Sequence, residues 1–155
     1  MTKLGIKTSD GIFLAHYSSS GLAALDFPGG KQSMSDSTDD PQIRRWHKLT
    51  TQAVERTLAG KSPGTLPPLD LSNGTAFQKK IWALLQKISP GKTETYSEIA
   101  ASAGKPKAAR AVGSACGANP IPLLIPCHRV VAASGKLGGF SGGLDWKIKL
   151  LAREK

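Results

Sequence analysis

A short apolar run near the C-terminus carries the residues best suited to chemistry. Residues 125–131 read IPCHRVV, so Cys127, His128 and Arg129 stand in a row inside a segment that we expect to be mostly buried. Cysteine acts as a nucleophile through its thiolate, which a neighbouring imidazole or cation favours. A buried cysteine beside a histidine can equally be a packing residue, and the residue types alone leave both interpretations open.

The expected backbone of this run limits how Cys127 and His128 can cooperate. Pro122 and Pro126 disfavour a helix or a central strand, so we predict an extended chain. Adjacent side chains of an extended chain point to opposite sides. We therefore expect no direct contact between imidazole and thiol unless the backbone bends or a water bridges them.

The formal net charge is +10, and the C-terminal half carries most of it. Residues 1–75 hold eight Lys/Arg and seven Asp/Glu, whereas residues 76–155 hold thirteen and four, a net charge of +9. Such a basic excess is typical of nucleic-acid binding, because each neutralised phosphate releases counterions. The alternative is a basic surface that only keeps the protein soluble; the asymmetry favours nucleic acid.

Two helices predicted before the reactive run indicate how DNA would be bound. Residues 99–103 and 107–118 read as short helices joined by a turn at Gly104, a pattern that resembles a helix-turn-helix. The second helix is rich in alanine and glycine, which fits close approach to the minor groove. It fits tight helix packing in a core as well, and Arg110 favours DNA as one long cation among small residues.

The N-terminal half predicts a small sheet and one helix. Alternating apolar residues indicate three strands within residues 4–27, and Asp40-Pro41 supplies the cap of a helix that ends near Leu58. The segment 61–75 is rich in proline and glycine. We predict an N-terminal domain over residues 1–60, a linker over 61–75 and a C-terminal domain over 76–155.

Composition indicates the cellular location of the protein and the state of its two cysteines. No apolar run is long enough to span a membrane and the first residues lack a signal-peptide core, so we expect a cytoplasmic protein, nuclear as well in a eukaryotic cell. Cys116 and Cys127 are too few for a disulfide framework and are expected to be free thiols. We predict that Cys116 is a packing residue.

Five motifs in the C-terminal half match one protein family in order and spacing. They are Thr95-Tyr96, Arg110-Ala111-Val112-Gly113, Asn119-Pro120, Ile125-Pro126-Cys127-His128-Arg129-Val130 and Ser141-Gly142-Gly143-Leu144. Through them, residues 77–154 resemble the C-terminal domain of the O6-alkylguanine-DNA alkyltransferases, which repair DNA by direct reversal. Residues 1–75 fit the family's N-terminal domain only by length and pattern.

The resemblance implies a catalytic set. Cys127 corresponds to the alkyl acceptor, and His128 to the residue that takes the thiol proton through a water. Glu154 corresponds to the acid that polarises this histidine. Tyr96 corresponds to the tyrosine that helps to rotate the nucleotide and donates a proton to the departing guanine.

The resemblance also implies DNA contacts. Arg110 corresponds to an arginine finger that fills the gap left by the extruded base, and Asn119 to a residue that tightens the hinge before the reactive segment. Ser141 lies on the loop expected to close over the base. The predicted DNA-binding set is Tyr96, Ala109, Arg110, Asn119, Arg129 and Ser141.

The fold that the resemblance implies is α+β. It combines a small ribonuclease H-like antiparallel sheet and helix with a mostly helical, winged helix-turn-helix-like C-terminal domain. The implied activity is irreversible, stoichiometric transfer of alkyl groups to Cys127 from O6-alkylguanine, and from O4-alkylthymine, in double-stranded DNA after base flipping through the minor groove. We expect no cofactor, no metal, no membrane partner and a monomer.

The sequence departs from the family pattern in two respects, and two alternative functions remain to be distinguished from alkyl transfer. Phe140 stands where some relatives have tyrosine, and residues 1–75 lack the cysteines with which certain relatives bind zinc. The first alternative is a non-enzymatic binder of alkylated bases; relatives of that kind lack the acceptor cysteine and usually carry tryptophan there, so Cys127 argues against it. A Cys-His hydrolase unrelated to DNA would turn over repeatedly and show no salt-dependent affinity for DNA.

Overall fold

The N-terminal half is built on a three-stranded antiparallel meander. The computed structural model of the protein describes residues 1–30, 33–140 and 142–155. The strands are β1 (Thr2–Thr8), β2 (Gly11–Tyr17) and β3 (Leu22–Asp26), paired in that order. In β1, Leu4 and Ile6 are buried at alternate positions, as the pleat of a half-buried strand requires, whereas in the central strand β2 the residues 13–15 are all buried. The predicted meander is confirmed.

A single long helix, α1 (Pro41–Leu58), follows the sheet. Asp40 caps it by accepting hydrogen bonds from the backbone N–H groups of Gln42 and Ile43, and proline at the first helical position needs no donor. Ile43 and Trp46 lie on its buried face. This helix begins and ends at the predicted residues.

The segment 61–75 lies along the edge of β3. Leu22 donates its N–H to the carbonyl of Pro68 (2.8 Å), and its own carbonyl accepts from the N–H of Asp70 (2.8 Å). A Cβ at Gly21 would lie 2.2 Å from the Pro68 carbonyl oxygen, so this approach requires glycine. The segment is therefore held to the sheet by backbone hydrogen bonds.

The C-terminal half is mostly helical. Its elements are α2 (Ala76–Leu85), β4 (Glu94–Thr95), α3 (Tyr96–Ser102), α4 (Ala109–Gly117), β5 (Val130–Val131) and α5 (Leu144–Arg153). Thr95 and Glu98 form a capping box that starts α3 at Tyr96, three residues before the predicted start. Helix α4 starts at Ala109 instead of Lys107, because residues 105–108 form a turn closed by the Ala108 N–H and the Lys105 carbonyl (2.9 Å).

Aromatic packing joins the two halves. Trp146 of α5 lies against Phe13 of β2 and against Phe27, with ring centroids 5.7 and 5.1 Å apart. Such edge and tilted pairs add to the free energy of simple burial. Helix α5 is thereby anchored on the N-terminal sheet.

The observed fold is α+β, as predicted: a small antiparallel sheet with one helix, followed by a mostly helical half in which a turn joins the short helices α3 and α4. Within the described ranges, no helix has the length and apolarity needed to cross a membrane. The same ranges contain no cluster of three His, Cys, Asp or Glu side chains suited to a metal ion.

Candidate active site

The reactive segment is bent, which corrects the extended chain that we predicted. Cys127, His128 and Arg129 form one turn of 3₁₀ helix, closed by a hydrogen bond from the Arg129 N–H to the carbonyl of Pro126 (3.0 Å). Successive side chains of such a turn diverge by about 120°. The thiol and the imidazole therefore leave the backbone in different directions, toward different partners.

Asn119 fixes where this turn lies. Its side-chain Nδ2 donates to the carbonyl of Ile125 (2.8 Å), and its Oδ1 accepts from the N–H of Ile121 (3.0 Å). Its backbone N–H bonds to the carbonyl of Cys116 at the end of α4 (3.2 Å). Asn119 is buried, so its place in the structure favours the hinge role of the prediction over direct contact with DNA.

Cys127 lines a cavity of about 370 Å³. The structure brings Cys127 and the predicted Tyr96 together there; the full lining is Tyr96, Gly113, Cys116, Gly117, Cys127, Gly139 and Phe140. Gly113 and Gly117 belong to α4, so the small residues of this helix leave room for a ligand where larger ones would fill it. This use adds to the two alternatives posed by the sequence, because Ala115 of the same helix packs in the core and Ala111 is exposed on the surface.

His128 and Glu154 form a buried pair. His128 Nε2 lies 2.9 Å from Glu154 Oε2, and both side chains are almost fully buried. Burial alone would raise the pKa of Glu154, but hydrogen bonds from His128 and Arg129 outweigh it and lower the pKa to about 2. Because the carboxylate is ionised, Nε2 carries the hydrogen, and Nδ1 of the neutral ring is the basic atom.

The basic nitrogen of His128 is unengaged. Within residues 1–30, 33–140 and 142–155, Nδ1 is the one fully buried side-chain polar atom without a hydrogen-bond partner. Burial lowers the pKa of His128, and the hydrogen bond and charge of Glu154 counteract this. A buried acceptor without a partner is costly, which makes this atom a candidate for a functional role.

Arg129 occupies a structural position, and this does not support the DNA contact that we predicted for it. Its guanidinium is buried and donates to both carboxylate oxygens of Glu154, at 2.7 to 3.1 Å. Its Nη1 donates to the carbonyl of Ile88 (2.7 Å). With these donors engaged inside the protein, Arg129 serves to hold Glu154 ionised and oriented.

Lys147 is a site residue that the sequence prediction missed. It is fully buried, and its Nζ donates to the carbonyls of Val130 (2.7 Å) and Gly139 (3.2 Å). Burial raises the pKa of the Cys127 thiol, whereas a hydrogen bond from Asn119 and the charge of Lys147 lower it. The available signal was helical spacing, since Lys147 shares a face of α5 with buried Leu150.

The remaining predicted residues lie outside the buried site. Arg110 is exposed in the first turn of α4, and Ala109 beside it is half-buried. Ser141 lies outside the described residues.

Burial raises the pKa of the Tyr96 hydroxyl, which keeps it protonated and able to donate a proton or hydrogen bond.

Comparison with known proteins identifies the family. The model of the 6-O-methylguanine DNA methyltransferase DNA-binding domain matches residues 76–155. A methylated-DNA–protein-cysteine methyltransferase of Methanosarcina barkeri is 43% identical over 138 residues, covering 87% of this chain and 85% of the relative. The chain belongs to this methyltransferase family. The resemblance inferred from its motifs is confirmed.

The methyltransferase fold extends over the whole chain. The crystal structure of Mycobacterium tuberculosis OGT in complex with DNA matches 100% of this chain and 93% of that one, with a TM-score of 0.82 and 37% identity. A methyltransferase of Mycolicibacterium paratuberculosis is 45% identical over 128 residues, covering 79% of this chain and 77% of the relative. Both halves of the chain are thus included in the similarity.

Proposed function

We propose that this protein repairs duplex DNA by transferring the alkyl group of O6-alkylguanine to Cys127, once per molecule. The observation that carries the proposal is the cavity of about 370 Å³ shared by the Cys127 thiol and Tyr96. Membership of the methyltransferase family supports the same reaction. We extend the proposal to O4-alkylthymine and to a monomeric acting form.

The reaction is an in-line displacement at the alkyl carbon. The Cys127 thiolate forms the new S–C bond while the C–O6 bond breaks and its electron pair passes to the guanine. Guanine is a poor leaving group as an anion, so a proton donated by Tyr96 during departure assists it. The product thioether has no leaving group that restores the thiol, and the protein is therefore consumed.

His128 is the proposed base for the thiol proton. Its Nδ1 is a free acceptor within the described part of the chain, while Nε2 is held by Glu154. One water between the Cys127 thiol and Nδ1 completes the path. The ionised Glu154 then stabilises the imidazolium that forms, because its opposite charge lies 2.9 Å away in a buried setting.

The proposed DNA-binding element is the α3–turn–α4 unit. The target O6 atom is stacked inside the duplex, so the nucleotide must be rotated out at a cost of a few kcal/mol. Arg110 is exposed on the first turn of α4, where a long cation can enter the minor groove and occupy the vacated space. The small side chain of Ala109 beside it allows α4 to lie close to the DNA backbone.

Transfer of a label from DNA to protein tests the proposal. Protein is incubated with increasing amounts of duplex DNA that carries radiolabelled O6-methylguanine, up to an excess of DNA, and protein-bound label is counted after denaturation. We expect up to one equivalent bound at Cys127, located by peptide mapping. Binding without transfer would leave only a recognition protein, and release of a labelled small molecule with repeated turnover would indicate a hydrolase.

A further inference from the structure

Glu154 stands at a vulnerable position in the chain. It follows the last helical residue of α5, and its backbone N–H makes a long hydrogen bond to the Leu151 carbonyl (3.2 Å). Helix ends fray readily because their last backbone groups lack the full set of hydrogen bonds. The hydrogen-bonded pair of His128 and Glu154 therefore needs a further restraint on the position of Glu154.

Arg153, the residue before Glu154, supplies a contact with the opposite half of the protein. Its Nη2 donates to Asp10 Oδ1 (2.7 Å) and its Nη1 to Asp10 Oδ2 (2.9 Å), a two-point ion pair with the turn between β1 and β2. Nη1 also donates to the carbonyl of Leu58 at the end of α1 (3.2 Å). Two-point pairs of this kind fix direction as well as distance.

Backbone packing restrains the same two residues. Gly60 has a φ of +80°, and a Cβ there would lie 2.1 Å from the Arg153 carbonyl oxygen. A Cβ at Gly91 would lie 3.0 Å from the Glu154 carbonyl oxygen. The end of α5 is therefore held between the two turns that contain these glycines, and the Asp10–Arg153 pair fastens it from the side.

We propose that Asp10 is a positioning residue for alkyl transfer: through its ion pair with Arg153 it holds Glu154 at hydrogen-bonding distance from His128. Asp10 touches neither the thiol nor the cavity, so its influence passes through the end of α5. The inference rests on the proposed function. It assigns the N-terminal turn a part in the reaction, 117 positions before the acceptor cysteine in the sequence.

The charges around these groups define the expected pH effect. His128 faces Glu154, which raises its pKa, and Arg129 and Lys147, which lower it. Asp10 faces Arg153 and Lys149, and the hydrogen bond from Arg153 holds the pKa of Asp10 below its ordinary value. If Glu154 moves away, burial and the two cations act on His128 unopposed, and it becomes a weaker base.

The test compares Asp10→Asn with Asp36→Asn, a control that removes an exposed carboxylate from the same half. Rates of Cys127 reaction with free O6-benzylguanine and with iodoacetamide are measured from about pH 5 to 10, a range widened because burial lowers the pKa of His128 and raises the pKa of Cys127. We expect Asp10→Asn to slow both reactions on the order of tenfold and to change the pH profile. Asp10→Glu, which keeps the charge, should recover part of the rate.

The outcomes separate the two proposals. Rates and pH profile equal to wild type in Asp10→Asn, with only a lower melting temperature, would reduce Asp10 to a structural contact and overturn the inference. If Asp10→Asn does not fold, Arg153→Lys replaces it, since it keeps the charge and loses the two-point geometry. Failure of wild type to take methyl label from O6-methylguanine in duplex DNA would refute the proposed function, whereas the iodoacetamide rates would still test Asp10.

Discussion

Replacing Lys147 by methionine removes a buried positive charge that acts electrostatically on the acceptor thiol. Methionine keeps a flexible side chain of similar length, so the volume of the site changes little. In the native protein the charge of Lys147 counteracts the burial that raises the pKa of Cys127. We therefore expect the pKa of Cys127 to rise further in Lys147→Met.

The size of the effect follows from the link between pKa and free energy. One pKa unit is about 1.4 kcal/mol and, below the pKa, about a tenfold smaller thiolate fraction. Loss of the Lys147 charge leaves burial of the thiol less opposed, so the thiolate fraction falls and transfer near neutral pH should slow on the order of tenfold. The carbonyls of Val130 and Gly139 also lose their donor, at about 1 to 3 kcal/mol each, offset in part because no ammonium remains to be buried.

The assay is the rate of reaction with free O6-benzylguanine as a function of pH. Lys80→Met is the control, because Lys80 lies on α2, is exposed and carries the same charge. We expect the rising limb of the profile to move to higher pH in Lys147→Met and to stay in place in the control. Identical profiles for both variants would refute the electrostatic role of Lys147.

Three further predictions concern other residues. Cys127→Ser should keep DNA affinity and lose transfer in the labelled-DNA assay; residual transfer mapped to Cys116 would contradict a single acceptor. Arg110→Ala should slow repair of duplex DNA by roughly tenfold while leaving reaction with free O6-benzylguanine unchanged, since only the duplex requires extrusion; equal losses on both substrates would exclude an intercalating role. The folded-state pKa of Glu154 is lowered from 4.5 to about 2, so its ionised form contributes about 3 kcal/mol to the free energy of unfolding. This contribution is complete above the unfolded pKa and is lost as pH falls toward 2. Denaturant unfolding from about pH 6 down to 2 measures this, and a Glu154→Gln variant whose stability falls just as steeply would show that the acid transition arises elsewhere.

Local signals made much of the fold predictable. Asp40 with Pro41 marked the start of α1. The capping box of Thr95 and Glu98 is an equally local signal for the start of α3, which we had placed three residues too late. Caps are read from a few neighbouring residues, so tertiary contacts do not obscure them. The alternation of the three strands is equally local.

The details of the site depend on contacts between distant residues. The bend at Cys127 is held by Asn119, whose side chain donates a hydrogen bond to the Ile125 carbonyl. No residue near Pro126 in the sequence indicates this bend. Lys147 looks like a surface lysine of an amphipathic helix until its carbonyl partners are seen. Arg129 looked like a DNA contact for the corresponding reason, because its partner Glu154 lies 25 positions away.

The sharing of one carboxylate by His128 and Arg129 has a consequence for the cell. A protein that loses Glu154 loses its activated histidine and at the same time leaves the Arg129 guanidinium buried without a counter-charge, at about 3 to 5 kcal/mol. That is a large part of the stability of a typical domain. We therefore expect proteins inactivated at this position to be degraded. They then do not persist on DNA, where they would shield lesions from other repair proteins.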